Sequence, residues 1–191
     1  MFAEAPQGGL AGASAGTAGH AARSHLRTTV DSIAVAVTKR LGPGERAELR
    51  RLRPDRPTAP SFWILLSRIV ERADEPPVDH ANLVDWESRW AAIFRCVADL
   101  GDLHAPGRPL GTALSEAGVS SARVVRLLRS RTPALFDDVR RTGHLLATKA
   151  VQVDLGDIAE MLRHDDGDRA DRVRRKVARG YYAAEGRKES K

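Results

Sequence analysis

Arginine is the residue whose number and spacing point to chemistry in this chain. The sequence holds 31 Lys and Arg against 25 Asp and Glu, a formal net charge of +6. In the C-terminal half, Arg123, Arg126 and Arg129 are three residues apart. On a helix each of these side chains is rotated by about 60° from the one before. The spacing predicts a slowly turning basic strip, with the apolar residues between the arginines on the buried side.

The charge is unevenly distributed along the chain, and further cations extend the basic regions. Residues 120–150 carry seven bases against two acids, whereas residues 71–102 carry three against eight. Guanidinium groups bind phosphate oxygens with paired donors and stay charged at cellular pH. The alternative is that these arginines pair with acids of the same protein. The candidate nucleic-acid-binding residues are Arg50, Arg51, Arg123, Arg126, Arg129, Arg140 and Lys149.

The acidic and histidine residues do not make a convincing catalytic or metal site. Asp154, Asp157 and Glu160 could hold a metal in a nuclease, but the first two suit the N-terminal end of a helix dipole. No two histidines have the spacing of a metal pair on a helix. The single cysteine, Cys96, falls in an apolar helical pattern, which favours a buried thiol. We therefore expect no catalytic residue, no metal and no cofactor, and a protein that is not an enzyme.

Helices must position the basic residues, because hydrophobic periodicity indicates helices throughout. Residues 1–22 are rich in Ala, Gly and Ser and predict a disordered tail. Apolar residues from His25 to Leu41 form one helical stripe, and Pro43 begins a short helix that ends at Arg53. A helix from Pro60 is apolar on all sides, which predicts an internal position.

The longest predicted helix runs from Leu83 to Leu100, and turn formers fill residues 101–109. Its apolar stripe includes Trp86 and Trp90, so we expect both in the core rather than on a base-stacking platform. The turn-forming stretch is the best candidate for a domain boundary. Residues 151–153 predict a brief extended connector without strand partners.

The sequence therefore predicts an all-α fold of about nine helices in two small helical bundles. The N-terminal bundle is expected over residues 23–105 and the C-terminal bundle over residues 106–187. No apolar run is long enough to cross a bilayer. The N-terminal residues do not have the pattern of a secretory signal, which favours the cytoplasm.

Five segments, taken in order, carry a family resemblance: residues 44–52, 59–66, 110–130, 135–141 and 151–162. Each segment is a short helical pattern, and their joint order and spacing over about residues 38–182 is what is distinctive. In this order they resemble the small-subunit family of type I-E CRISPR surveillance complexes, often called CasB. The family usually has a Trp where this chain has Leu155.

The resemblance implies a non-enzymatic subunit of a Cascade complex, associated with the other Cascade subunits and with a second copy of itself stacked head to tail. It also implies contact with crRNA and with the displaced non-target DNA strand, which stabilises the complex and the R-loop. The family's basic contacts fall on Arg50, Arg51 and Arg123. Other matching basic positions are Arg129, Arg140 and Lys149.

Two other functions fit a basic helical chain. One is a helical DNA-binding transcriptional regulator, although the segment around Arg123 and Arg126 lacks the Asn and Gln that commonly read bases. The other is a protein–protein scaffold whose arginines bind acidic faces, with no nucleic-acid contact.

Overall fold

The computed structural model describes residues 13–74, 76–77, 79–164 and 166–190, with side chains from residue 25 onward. Within these ranges the chain is built from α-helices, which confirms the all-α prediction. A π-helical segment, Leu66–Val70, follows the third helix, and a 3-10 turn, Gly101–Leu103, follows the fourth. The nine described α-helices are α1 (Ala13–Lys39), α2 (Pro43–Arg50), α3 (Pro60–Leu65), α4 (His80–Leu100), α5 (Leu110–Glu116), α6 (Ser121–Arg129), α7 (Ala134–Thr148), α8 (Leu155–Arg163) and α9 (Gly167–Glu189).

The ends of the first two helices differ from the prediction. Helix α1 begins at Ala13, inside the segment assigned to the tail, and residues 1–12 of that segment lie outside the described residues. Alanine, which is frequent there, has the highest helix propensity. Helix α2 starts at Pro43 as predicted but ends at Arg50. The residue before Pro54 is biased away from helical backbone, which explains why the helix does not extend to Arg53.

The expectation that the third helix is internal on every side is wrong in part. Phe62 and Leu65 are buried, but Trp63 is 39% exposed and Ile64 is 48% exposed. Helix α3 has only six residues and packs with α2 on one side, so its other side faces solvent.

The tryptophans of α4 lie in the core, as predicted. Trp86 and Trp90 are 4% and 0% exposed, and Ile93 and Val97 of the same stripe are also buried. Both indole N–H groups donate to one carboxylate oxygen of Asp74, at 2.7 and 3.0 Å. A buried tryptophan needs such a partner for its N–H. The pair is therefore built into the core and is not a base-stacking surface.

The two halves of the chain share a continuous core. Helices α7 and α8 pack against α4, and α8 also packs against α1. The independence of two bundles divided near residues 101–109 stays a prediction.

The connector over residues 151–153 has backbone partners, contrary to the prediction. Val153 forms a single parallel bridge with His104. Its N–H donates to the Leu103 carbonyl at 3.0 Å, and its carbonyl accepts from the Ala105 N–H at 3.0 Å. Val153 is fully buried, and buried backbone groups require hydrogen-bond partners. The stretch predicted as a boundary is thus tied to the start of α8.

A buried ionic cluster joins α1 to α8. Asp154, Asp157 and Glu160 are each 5% exposed or less. Arg27 of α1 donates to Asp154 and to Asp157, and its Nε lies 3.2 Å from a carboxylate oxygen of Glu160. One guanidinium therefore contacts three buried carboxylates on the first turns of one helix.

Asp157 has two further donors besides Arg27. Lys176 of α9 donates to it at 2.6 Å, and the Leu110 N–H at the start of α5 donates at 3.0 Å. Burial alone would raise the pKa of Asp157, but the hydrogen bonds from Lys176, Arg27 and Leu110 outweigh burial and lower it. The charged form of Asp157 is therefore favoured in the folded protein.

Helices α5 and α9 approach so closely that one glycine has no room for a side chain. A Cβ at Gly111 would lie 2.2 Å from the Val177 carbonyl oxygen and 2.6 Å from the Tyr181 nitrogen. A Cβ added at Gly186, on the same α9, would meet no other atom within 4 Å. The two glycines form a matched pair for testing this contact.

We expect Gly111→Ala to lower the free energy of unfolding by about 2 kcal/mol or more, because the α5 and α9 backbones must separate. Gly186→Ala should be neutral or stabilise by about 0.5 kcal/mol through helix propensity. Denaturant unfolding followed by circular dichroism measures both. Equal effects of the two substitutions would contradict the close approach.

We expect Arg27→Met to destabilise the fold by about 3 kcal/mol at neutral pH, because it leaves buried carboxylates without their main cation. The lowered pKa of Asp157 means that its contribution is complete above the ordinary Asp pKa of about 3.9 and is lost as the pH falls through the lower folded value. The difference between Arg27→Met and the wild type should therefore shrink below about pH 4.

The control for Arg27→Met is Arg53→Met, which removes an exposed ion pair with Asp55. It should change stability by less than about 0.5 kcal/mol. A pH-independent effect of Arg27→Met would show that its charge is not what stabilises α8.

Candidate nucleic-acid interface

Helix α7 separates two grooves that contain most of the predicted basic residues. Its successive residues Arg140 and Arg141 are rotated by about 100° from each other and line different grooves. We call them the α2–α7 groove and the α6–α7 groove after the elements on either side.

The α2–α7 groove lies between the chain after α2 and the first turns of α7, and it has a volume of about 800 Å³. Two carboxylates line it, Asp55 and Asp137, against five guanidinium groups. The charged lining therefore sums to three formal positive charges, five minus two. The arginines are Arg50, Arg51, Arg53, Arg95 and Arg140.

The arginines of this groove differ in how firmly they are held. The Nε of Arg50 donates to the Ala98 carbonyl at 3.0 Å and lies 3.7 Å from Asp99. Arg140 has a loose pair with Asp137 at 3.8 Å. Arg51 is exposed and makes no side-chain hydrogen bond or ion pair with another described residue. Arg51 is therefore the most available cation of the three predicted here.

The α6–α7 groove has a volume of about 420 Å³ and brings Arg123 and Arg126 beside Arg141 and His144. Helix α6 turns Val124 and Leu127 into the core, which places the arginines outward as the spacing predicted. Arg123 is exposed and forms no side-chain bond with any described residue.

Asp138 fixes two of the arginines in the α6–α7 groove. This carboxylate is 7% exposed and lies 3.1 Å from the Nε of Arg126 and 3.3 Å from Arg141. It also accepts from the Ser130 hydroxyl. Arg126 therefore has a structural partner, as the alternative interpretation of the arginines required, although more than half of its side chain stays exposed.

Two predicted residues line neither groove. Arg129 ends α6, and Lys149 follows α7 as its C-cap residue. Both are exposed, and neither side chain forms a hydrogen bond or ion pair within the described part of the chain. The structure brings Arg50, Arg51 and Arg140 together in one groove and Arg123 and Arg126 in the other.

Sequence reasoning missed Arg95, which lies at the α2–α7 groove. The periodicity of α4 places it opposite Trp86, on the side expected to face solvent. Helix α4 is instead covered on several sides, and Arg95 is half-buried beneath residues 52 and 136. The only sequence signal was a single charge among buried neighbours such as Phe94 and Cys96.

The acids considered for a nuclease site all belong to the cluster with Arg27. Asp154 caps α8 by accepting from the Gly156 N–H at 2.8 Å. Among the described residues, no group of three or more His, Cys, Asp or Glu side chains is arranged to hold a metal ion. Cys96 is buried, as predicted, and burial raises its pKa to about 12. None of the helices described is both long and apolar enough to span a membrane.

The arrangement suits the binding of an extended polyanion. Its donors are guanidinium and ammonium groups spread over two grooves, and paired N–H donors match phosphate oxygens. Such contacts fix the position of a nucleic-acid backbone and carry no base information.

Comparison with solved structures gives two similar chains. CasB from Thermobifida fusca is 25% identical with a TM-score of 0.64, and the match covers 82% of this chain and 97% of that one. A chain in the crystal structure of E. coli Cascade bound to a PAM-containing double-stranded DNA target is 18% identical with a TM-score of 0.54. That match covers 86% of this chain and 96% of the other, and it shows a shared fold.

A family model gives the assignment, since none of the curated proteins matches the chain. The model of CRISPR-associated protein Cse2 matches residues 45–182, which include both grooves and all seven predicted basic residues. The resemblance noted from the sequence is thereby confirmed. This chain belongs to the CRISPR-associated Cse2 family.

Proposed function

We propose that this chain is a non-catalytic subunit of a crRNA-guided Cascade complex that holds nucleic-acid backbone in its two grooves. By holding the displaced DNA strand it would stabilise the R-loop, and by contacting crRNA it would stabilise the complex. Its protein partners would be the other Cascade subunits and a second copy of itself, in the cytoplasm. Membership of the Cse2 family and the likeness to a chain of the DNA-bound E. coli complex support this assembly.

The observation that carries the proposal is the set of exposed cations that have no acid of their own. Arg51, Arg123, Arg129 and Lys149 are exposed and unpaired among the described residues. A cation without an internal partner adds no ion pair to the fold and remains available to an external anion. Four such groups, two of which line the grooves, favour a ligand with several phosphates.

The energetics of strand exchange make modest contacts sufficient. A guide–target heteroduplex is about as stable as the DNA duplex that it replaces, so protein contacts to the backbone can shift the balance. Contacts to phosphates would act equally on every target sequence. Such sequence-independent contacts suit a complex in which the guide RNA, and not this subunit, recognises the target sequence.

We expect the triple variant Arg51→Ala, Arg123→Ala, Lys149→Ala to shorten the lifetime of the open R-loop about tenfold in the assembled complex. Each lost exposed contact is worth about 0.5 kcal/mol, and the three together make about one factor of ten. The salt slope of strand holding should fall by about two, since a single strand loses about 0.7 per contact. Strand-displacement kinetics on several protospacers measure both quantities.

The matched control removes the same number of charges from α9, with Arg172→Ala, Arg175→Ala and Arg179→Ala. These arginines are also exposed and unpaired within the described residues, but they lie on α9, whereas Arg51 and Arg123 line the grooves and Lys149 follows α7. The control should keep the wild-type lifetime. If both triple variants shorten the lifetime equally, the effect comes from the net charge of the subunit and not from the grooves. A defect confined to particular protospacer sequences would favour a regulator that reads bases. No defect in either triple would favour a protein scaffold.

We expect no cleavage of single- or double-stranded DNA or RNA by the purified chain with Mg²⁺ or Mn²⁺. Asp154 and Glu160 already bind Arg27, so no carboxylate of this trio is left for a metal. Gel assays of labelled substrates measure cleavage. Metal-dependent cutting that disappears in Asp154→Ala or Glu160→Ala, with the fold intact by circular dichroism, would contradict the proposal.

A further inference from the structure

Arg95 is a half-buried cation whose described partners are backbone carbonyls. Its Nη1 donates to the Leu52 carbonyl at 3.3 Å and its Nη2 donates to the Phe136 carbonyl at 3.1 Å. A guanidinium has five N–H donors. Three of them therefore have no hydrogen-bond partner among the described residues.

No carboxylate of the described chain forms an ion pair with Arg95. Burial lowers its pKa and the nearby charge of Arg140 lowers it further, while the charges of Asp137 and Asp99 offset these two effects only in part. Both effects mean that the charged form is held at a cost in the unliganded protein. Arg163 is a useful contrast, because it is also largely covered but has Asp74 at 2.8 Å. The charge of Arg95 lacks that compensation.

The surroundings of Arg95 have the size and chemistry of a phosphate-binding subsite, which we call the phosphate seat. It lines the α2–α7 groove of about 800 Å³, within the range of small-ligand sites. Arg51 and Arg140 line the same groove, and Pro54, Pro133 and Phe136 supply apolar wall. A nucleotide unit matches this lining, because its charged phosphate lies beside a less polar sugar.

We propose that Arg95 is a fixed donor for one backbone phosphate of the displaced strand, with Arg51 and Arg140 as mobile donors beside it. This rests on the proposed function and adds a binding residue and a specific subsite to it. The two carbonyl bonds hold the guanidinium plane in place, so its free N–H groups are oriented before the phosphate arrives. Preorganised donors lose little entropy on binding. The phosphate in turn supplies the direct ionic partner that no described carboxylate provides.

A comparison of Arg→Lys substitutions tests the orientation of the donors. Arg95→Lys keeps the charge but loses the planar fork. The matched control is Arg172→Lys on α9, an exposed arginine that lines neither groove. In the assembled complex we expect Arg95→Lys to shorten the R-loop lifetime about tenfold, in the range of one charge-assisted hydrogen bond. Arg172→Lys should keep the wild-type lifetime. Circular dichroism and subunit incorporation confirm that each variant folds and assembles.

A wild-type lifetime for assembled Arg95→Lys would overturn the proposal that Arg95 binds a phosphate of the displaced strand. If Arg95→Lys does not fold or assemble, the double variant Arg51→Ala, Arg140→Ala decides, since both side chains are exposed. A shortened lifetime then supports the seat, and an unchanged one overturns it. The triple variant at Arg51, Arg123 and Lys149 separates the two proposals. A defect there with normal Arg95→Lys leaves the proposed function standing without this subsite.

Discussion

The rest of the fold depends on the pairing of Arg27 with three buried carboxylates of α8. Asp154, Asp157 and Glu160 repel one another and are nearly fully buried, so they can occupy the core as charged groups only with a cation beside them. Arg27 comes from α1, and Lys176, the second cation on Asp157, comes from α9. The cluster therefore requires these three helices to assemble together. Helix α8 packs in turn against α4 and α7, the helices that carry Arg95 and Arg140.

Pairing with a carboxylate also distinguishes the arginines that stabilise the fold from those that can bind an external anion. Asp138 is buried between α6 and α7 and holds Arg141 of its own helix and Arg126 of α6; the contact with Arg126 ties the two walls of the groove together. Arg123 is on the same helix as Arg126 and in the same groove, yet no acid holds it. Charge and spacing alone make Arg123 and Arg126 equivalent. Their difference comes from one acid contributed by the neighbouring helix.

The sequence predicted what depends on local periodicity and missed what depends on distant partners. The helical character, the core position of Trp86 and Trp90 and the outward side of α6 all follow from spacing within one helix. The partner of Asp154 is Arg27, 127 residues away, and no local pattern could identify it. The bridge of Val153 to His104 and the position of Arg95 were missed for the same reason. Each requires knowing which elements pack together, and a single helix viewed alone does not contain that information.

The packing of α7 against the core explains why a small number of cations in the two grooves can be enough to hold a nucleic-acid backbone. Gly143 lies against Leu100 of α4, where an added Cβ would be 3.4 Å from the Leu100 Cδ1, and Leu146 is fully buried. This close contact fixes α7 against the central helix, so its arginines project from a rigid ridge. Flexible side chains on a rigid backbone lose only their own rotamer freedom when they bind a phosphate. Because strand exchange is nearly balanced, a few contacts on such a ridge can decide whether the strands stay apart. The geometry of α7 thus links the packing of the core to the charge that the surface presents.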